Sequence, residues 1–490
     1  MSVAQGTCPQ CGAPMTFGVG ASIAQVCKFC RHSVVRTDRD FQNMGKVADL
    51  TMTPCPVAVD DMGSIDGRQM RVLGRVQLDH GAGPWDEWYI GYQDGSWGWL
   101  ASAQGNWYVT NEVGAPPPLP PWDQVVVEQD IALGASGVFR VMEVKRGTIV
   151  SGEGELPFAV QGGHERFYAD LAGPNGAFAT IDYGDRTTPP QLFVGYQRPE
   201  SALVIKAMSE RPVSDVGTEA IICPNCGGNV PALAPKQSER LGCPYCGAVS
   251  DIASRRVLEQ QNAARNQPNI PLGSRGTIGG QEYVVCGYVE RSATIEGEWF
   301  GWQEYLLYGH GLGFRWLVKD ESTWVWITQI SIAEIDLGGM PRTAGYQGRR
   351  FHLRNRNQAS VDYVLGELYW KVKVGEQVEA MDFLDGGDVL SRERAGDEVA
   401  WSIGNPIAWP VLAQAFGLPI GGAGATFVAP SDGGSGLATD SNTRTVMIII
   451  VLIVIIVLLL LVCGACGGCG GGTGGGFWGG GTWGGGRGGK

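Results

Sequence analysis

The chain contains the same arrangement of residues twice, and this repetition constrains its fold more than any other feature. Two Cys-x-x-Cys pairs come first, and a stretch rich in tryptophan and glycine follows them. The second copy begins 215 residues after the first. The landmarks that recur are Trp85, Glu87, Trp99 and Trp107 in the first copy and Trp302, Glu304, Trp316 and Trp324 in the second. A repeat of this length predicts a duplicated unit in which a metal-binding module precedes a globular domain.

The cysteine pairs have the spacing of zinc ribbons. Fifteen residues separate the two pairs of the first set and sixteen those of the second. Two thiolates from one tight turn can reach the same ion, and zinc favours four such ligands in a tetrahedron. Redox-active thiols are the alternative, but they do not explain four pairs. The sequence therefore predicts two structural zinc ions, bound by Cys8, Cys11, Cys27 and Cys30 and by Cys223, Cys226, Cys243 and Cys246.

The stretches behind the cysteines favour β-structure. Residues 68–78 alternate in hydropathy, and Asp94-Gly95 between two apolar runs is a strong hairpin signal. Neither copy has the alternation of strands and helices that a parallel sheet requires. The fold class predicted is mainly β, with an antiparallel barrel or sandwich in each copy. Residues 255–265 are predicted as a short helix.

These patterns divide the chain into seven segments. The predicted segments are a zinc ribbon at 1–36, a β domain at 57–208, a second ribbon at 220–252, a second β domain at 270–412, a flexible linker at 413–445, a transmembrane helix at 446–463 and a glycine-rich tail at 464–490.

The transmembrane prediction depends on an apolar run of 17 residues from Val446 to Val462. As a helix this run would be about 26 Å long, close to the ~30 Å hydrocarbon core of a bilayer. No signal peptide is evident at the N-terminus, and eight of the 13 cysteines belong to the ribbons, which fits a reducing compartment. With Arg444 before the span, these features predict a single-pass protein of the inner (cytoplasmic) membrane whose N-terminal domains are cytoplasmic.

The sequence offers no catalytic arrangement of residues. Glu87 and Glu304 are the best polar candidates, because each recurs among apolar neighbours, but a structural carboxylate explains them equally well. The recurring tryptophans fit either a β core or a ligand-binding surface. Cys463, Cys466 and Cys469 could bind metal, carry a lipid, cross-link chains or serve as small residues at an interface. The net charge of −12 makes nucleic acid an unlikely partner.

The recurring motifs carry a family likeness. Gly74-x-Val76, Trp85-x-Glu87-Trp88-Tyr89, Gly98-Trp99-Leu100 and Gly154-Glu155-Leu156 resemble the bacterial domain of unknown function 4178, and the second copy resembles it too, through Gly366-Glu367-Leu368 among others. The family has no established activity, so the resemblance implies no catalytic residues. Its members look like accessory proteins of membrane-associated systems, which implies a partner-binding role.

The function predicted is that of a membrane-anchored, non-enzymatic adaptor or scaffold that binds protein partners through its duplicated units. The alternative is an enzyme or a factor that handles a small molecule or lipid at the membrane.

Overall fold

The computed structural model describes most of the N-terminal 419 residues. The described ranges are 4–17, 22–36, 41–50, 56–79, 84–103, 106–206, 220–234, 238–252, 254–262, 268–295, 297–310, 312–320 and 323–419. The chain divides into two compact units, Met1–Val428 and Ala429–Lys490, and every described residue lies in the first.

The first ribbon and the first repeat consist of strands that follow the hydrophobic alternation of the sequence. The ribbon strands are β1 (Ala4–Thr7), β2 (Pro14–Phe17), β3 (Ala24–Val26), β4 (His32–Arg36) and β5 (Phe41–Lys46). The strands of the first repeat are β6 (Met62–Ile65), β7 (Arg68–Asp79), β8 (Pro84–Tyr92), β9 (Trp97–Ala103), β10 (Asn106–Glu112), β11 (Asp130–Ala132), β12 (Val138–Leu156), β13 (Glu165–Ala172), β14 (Ala177–Gly184), β15 (Gln191–Pro199) and β16 (Leu203–Lys206).

The second ribbon and the second repeat follow the same plan. The ribbon strands are β17 (Ala220–Ile222), β18 (Asn229–Pro231), β19 (Arg240–Gly242), β20 (Ala248–Asp251) and β21 (Val257–Gln260). The repeat contains β22 (Arg275–Ile278), β23 (Gln281–Ile295), β24 (Glu298–Gly309), β25 (Gly313–Asp320), β26 (Thr323–Ile330), β27 (Ile335–Asp336), β28 (Thr343–Tyr346), β29 (Arg349–Leu368), β30 (Gln377–Asp385), β31 (Asp388–Ala395), β32 (Glu398–Ile407) and the helix α1 (Trp409–Ala415). Short 3-10 turns lie at Trp122–Gln124, Gly134–Ser136, Pro174–Gly176, Glu200–Ala202 and Ile332–Glu334.

Each repeat closes into an antiparallel barrel of eight strands. In the first, the ladder runs β7-β8-β9-β10-β15-β14-β13-β12, and β12 pairs back onto β7. In the second, it runs β23-β24-β25-β26-β32-β31-β30-β29, and β29 pairs back onto β23. The prediction of a mainly β fold is confirmed, and the closed ladder removes the free edges that an open sheet would expose.

Two recurring glycine motifs meet where the barrels close. A Cβ atom added to Gly74 would lie 1.7 Å from the carbonyl oxygen of Glu155, and one added to Gly287 would lie 2.3 Å from that of Glu367. The backbones of the paired strands therefore approach too closely for any side chain at these positions. This contact explains why the glycine of β7 or β23 and the Gly-Glu-Leu motif of β12 or β29 recur together.

Each ribbon joins its barrel by extending the sheet at the Gly-Glu-Leu motif. Strand β3 pairs with residues 154–156 of β12, and β19 pairs with residues 366–368 of β29. The cysteine turns are thus held to the barrel wall by main-chain hydrogen bonds as well as by side-chain packing.

The two barrels share a hydrophobic core. One buried cluster contains Phe139, Leu171 and Ile181 of the first repeat together with Phe383 and Trp401 of the second. Polar contacts cross the same boundary, because Arg392 donates to Glu128 at 2.7 Å and Arg140 donates to the carbonyl oxygen of Ile335 at 2.6 Å. The repeats are therefore packed together by one shared hydrophobic cluster.

Two predictions need correction. The helix predicted at 255–265 is wrong, because residues Val257–Gln260 form β21, which pairs with β20. No helix in the described ranges has the length and apolar character needed to cross a bilayer. This finding contradicts the inner-membrane location that the apolar run at 446–463 predicts; the run itself, the glycine tail and Cys463, Cys466 and Cys469 lie outside the described residues.

Candidate metal centres and barrel interiors

The structure brings the eight predicted ligands together in two clusters of four thiols. Within each cluster all four sulfur atoms lie within 4.8 Å of one another. The Sγ–Sγ distances are 3.6 Å for Cys8–Cys30 and 3.7 Å for Cys11–Cys27. In the second cluster they are 3.7 Å for Cys223–Cys246 and 3.8 Å for Cys226–Cys243.

These distances fit a metal ion. Four sulfurs placed tetrahedrally at about 2.3 Å from zinc are about 3.8 Å apart. A disulfide would require about 2.05 Å. The two clusters could therefore each hold one metal ion without rearrangement.

A left-handed residue after the second cysteine shapes every turn. Gly12, Gly227 and Gly247 each have φ of +73° there, and the backbone N–H of each donates to the carbonyl oxygen of the first cysteine of its pair. Arg31 takes this conformation without being glycine, with φ of +60°. Its guanidinium donates to the carbonyl oxygen of Ala48 at 2.9 Å, which ties the turn to the segment after β5.

The thiols of each cluster differ in acidity. Burial raises the pKa of Cys30 to about 12. Burial also acts to raise the pKa of Cys27, but hydrogen bonds from the backbone N–H groups of Cys30 and Phe29 outweigh it and lower that pKa to about 7. In the second cluster the pKa of Cys243 is raised by burial to about 12, whereas Cys246 falls to about 7. Four adjacent thiolates repel one another, so a divalent cation would stabilise the fully deprotonated set.

The recurring tryptophan–glutamate pairs lie on one face of each barrel wall. In the first barrel this face also carries ring contacts between strands that are not neighbours, Trp85 with Tyr168 at 6.1 Å and Trp97 with Phe193 at 5.5 Å between ring centroids. Contacts across the ring identify this face as the inner one. Glu87 accepts a hydrogen bond from the indole of Trp85 at 3.2 Å, and Glu304 accepts one from Trp302 at 2.7 Å.

The other recurring tryptophans contribute to packing. Trp107 and Trp324 are 4% and 2% exposed, and Trp324 stacks on Trp409 of α1. Trp99 and Trp316 are half-buried and pack against apolar clusters inside their barrels. These four tryptophans therefore pack in the β core. The indole N–H groups of Trp85 and Trp302 instead donate hydrogen bonds to Glu87 and Glu304.

Sequence reasoning missed two further acidic positions that recur inside the barrels. Asp170 accepts a hydrogen bond from Thr180 at 2.6 Å, and Asp382 accepts one from Ser391 at 2.6 Å. Two residues beyond the hydroxyl, on the same strand face, stand Asp182 and Glu393. Trp85 and Trp302 are 217 residues apart, whereas Asp170 and Asp382 are 212 apart, so a fixed offset does not align them.

Burial perturbs these interior carboxyl groups. It raises the pKa of Glu87, and the charge of Asp182 adds to the effect. The pKa of Asp170 is raised to about 7, first by burial and then by the charge of Glu143. The pKa values of Glu304 and Asp382 are raised by burial as well, although Arg291 opposes the shift at Glu304.

Comparison with known proteins identifies the repeated domain. The family model for a domain of unknown function, DUF4178, matches residues 58–199 and again residues 271–408. The chain belongs to the DUF4178 family. The resemblance read from the sequence is thereby confirmed, in two copies, and each matched range contains all eight strands of a barrel. Because the family is defined without a function, the match carries no sign of an enzymatic activity. No curated protein and no solved structure matches this DUF4178 protein.

Proposed function

We propose that this DUF4178 protein is a non-enzymatic scaffold in which two structural zinc ions stabilise two ribbons that bind a protein partner. The observation that carries the proposal is the pair of four-thiol clusters, each fixed to its own barrel by strand pairing. Each cluster offers only thiol ligands, a set that selects zinc over hard cations such as magnesium and calcium. Four protein ligands leave no open coordination position for a substrate, so the ions have a structural role.

The attachment of the second ribbon to its barrel supports a fixed orientation. Glu367 of the Gly-Glu-Leu motif is 1% exposed, and its carboxylate accepts hydrogen bonds from the hydroxyl of Ser238 at 2.8 Å and from the backbone N–H groups of Leu233 and Ala234. These donors all lie between β18 and β19, so one buried carboxylate fastens the ribbon loop to β29. A partner would meet a ribbon surface that is already ordered, which lowers the entropic cost of binding.

The ribbon surface carries an exposed aromatic residue at the same place in both copies. Phe29 and Tyr245 each precede the last cysteine of their ribbon, and they are 65% and 60% exposed. Aromatic residues are enriched in protein interfaces, whereas the acidic net charge of the chain disfavours nucleic acid. We therefore assign partner binding to the surfaces around Phe29 and Tyr245.

Affinity capture of the full-length protein from its own cells tests this proposal. The Phe29→Ser/Tyr245→Ser double variant should lose a defined protein partner that the wild type retains. The zinc content of the double variant should stay at the wild-type level, because neither residue is a ligand. Exposed Val204→Ser, in β16 of the first repeat, is the matched control and should keep the partner. Equal capture by the wild type and the double variant would contradict the proposal.

A further inference from the structure

The two barrels differ at one position beside the recurring glutamate. In the second barrel Arg291 lies opposite Trp302 in the ladder, and its guanidinium is 3.1 Å from the carboxylate of Glu304. In the first barrel Leu78 lies opposite Trp85 in the same way. The first barrel therefore has a leucine where the second supplies a cation for its glutamate.

The polar interior of the first barrel contains more acidic than basic groups. Two acids have a basic partner, since Lys145 is 2.5 Å from Glu143 and Arg166 is 2.5 Å from Asp182. The other two acids are Glu87 and Asp170. Within the described part of the chain, the carboxylate of Glu87 accepts a hydrogen bond only from the indole N–H of Trp85, and that of Asp170 only from the hydroxyl of Thr180. Neither carboxylate has an ion pair of its own, although the charge of Lys145 acts on both and that of Arg166 acts on Glu87.

A buried hydroxyl near these carboxylates is a second, independent observation. Tyr168 is 8% exposed, and its hydroxyl has no hydrogen-bond partner among the residues that the structure describes. The side chain lies on the inner face, two residues from Asp170 on β13, and its ring contacts that of Trp85. Burial raises the pKa of this phenol, and the charges of Glu87, Glu143, Asp170 and Asp182 add to the effect. A buried hydroxyl without a partner costs free energy unless a ligand or water satisfies it.

The ligand must be larger than a bare metal ion. Apart from the two cysteine clusters, no three acidic, histidine or cysteine side chains of the described ranges bring their ligand atoms within 4.8 Å of one another. An organic cation can instead place its charge near the carboxylates and its carbon atoms against the rings of Trp85 and Tyr168. The ring of Trp85 has the ammonium of Lys145 at 5.4 Å and that of Lys371 at 6.0 Å, so it takes part in cation–π contacts.

Solvent reaches this interior, since Trp85, Glu87 and Asp170 are each only half-buried. We propose that the first barrel binds a small alkylammonium ion between Glu87, Asp170 and the hydroxyl of Tyr168, where the second barrel uses the side chain of Arg291. This binding site is separate from the ribbon surfaces and goes beyond the scaffold function. The carboxylates supply the charge, the Tyr168 hydroxyl accepts one hydrogen bond from the ammonium, and the rings cover the alkyl chain.

Calorimetric titration of the full-length protein with n-butylammonium chloride tests the site. The expected result is one site per chain with a roughly millimolar dissociation constant, because the probe has few atoms from which to gain binding free energy. The neutral analogue 1-butanol, with the same carbon chain, should not bind at that concentration. Absence of n-butylammonium binding, or equal binding of 1-butanol, would overturn the proposal.

Variants assign the binding to the first barrel. Glu87→Gln and Asp170→Asn should each weaken binding at least tenfold, and Leu78→Arg should abolish it by placing an internal guanidinium next to Glu87. Asp382→Asn makes the matching change in the second barrel and should bind as the wild type does. Near-ultraviolet circular dichroism establishes whether each variant is folded. If Leu78→Arg does not fold, the near-isosteric variants Glu87→Gln and Asp170→Asn still test the site. Unchanged binding by folded Glu87→Gln and Asp170→Asn, or loss of binding by folded Asp382→Asn, would refute the assignment.

Discussion

The two barrels have the same strand order, but they differ in the side chain that lies beside the recurring glutamate in the interior. Each holds a glutamate with the indole of the tryptophan two residues before it, and each places an aspartate under a hydroxyl of the next strand. In the second barrel Arg291 neutralises Glu304, whereas in the first barrel Leu78 leaves Glu87 without a guanidinium neighbour at that position. The two copies therefore keep the same frame and differ in the charge inside it, and the proposed ligand site belongs to the first copy.

The largest expected effect concerns the metal ion that we propose for the four-cysteine cluster of each half of the molecule. The purified full-length protein should contain two zinc ions per chain by elemental analysis. Cys8→Ser and Cys226→Ser should each lower this to one ion and unfold only the ribbon concerned, because metal binding supplies roughly 10 kcal/mol or more of folding free energy in such modules. Proteolysis mapped by mass spectrometry identifies which ribbon has opened. Retention of two ions in either variant would show that the four thiols do not act as one set.

The second largest effect is expected on thermal stability, when the buried ion pair of the second barrel is broken. In Arg291→Leu the carboxylate of Glu304 remains, with a side chain only 11% exposed and no guanidinium beside it. Breaking a buried pair in this way costs about 3–5 kcal/mol, so thermal melting should occur at a clearly lower temperature. The double variant Arg291→Leu/Glu304→Gln should recover most of this loss, since no buried charge is then left unpaired; Glu393, the second partner of Arg291, is 46% exposed. An unchanged melting temperature in the single variant would mean that the two barrels do not differ in the way described.

The smallest expected effect is on the pH dependence of the free energy of unfolding, measured for Asp170 in the first barrel and for Asp382 in the second. In the folded state Asp170 keeps its proton up to a pKa of about 7, whereas an unfolded aspartate loses it near pH 3.9. The folded chain thus binds more protons than the unfolded chain between about pH 4 and pH 7, so this group lowers stability as the pH rises through that window. The charges of Glu143, Lys145 and Glu87 act on Asp170, and Glu398 has a pKa raised to about 7 by burial and by the charge of Glu143.

Asp170→Asn removes the titrating group without changing its size. We expect the variant to be more stable than the wild type at pH 8, by roughly 1–3 kcal/mol, and equally stable near pH 3, where the aspartate is protonated in both states. Asp382→Asn should change stability in the same direction, because burial raises that pKa as well. Melting curves at the two pH values measure both variants. A loss of stability at pH 8 in Asp170→Asn would contradict the raised pKa.

The sequence alone predicts those parts of the structure that local chemistry determines. The paired cysteines, the glycine after three of the four second cysteines and the alternating runs lead directly to two four-thiol clusters and a mainly β fold, because each depends on residues close together in the chain. The pairing of Asp170 with Thr180 depends on the register between β13 and β14, which no local pattern encodes. Insertions in the connecting loops also conceal the match between Asp170 and Asp382.

The helix predicted at 255–265 fails for a related reason. Residues of this segment have moderate helix propensity, but Val257–Gln260 form the third strand of the ribbon sheet by pairing with β20. Tertiary pairing therefore decides the conformation of a segment whose own preference is weak.

Strand β12 gives the molecule a mechanical property. Its C-terminal end, at residues 154–156, is paired with the first ribbon, and nearer its N-terminal end Glu143 is paired with Glu398 of the second barrel. A force applied to the ribbon by a bound partner would enter this strand along its axis and load the flanking ladders to β7 and β13 in shear, so that many hydrogen bonds would have to break together. The strain would be delivered to the boundary between the barrels, close to Lys145, Asp170 and the interior that they line. A pull at the ribbon and a change inside the first barrel are thus connected by one continuous piece of backbone.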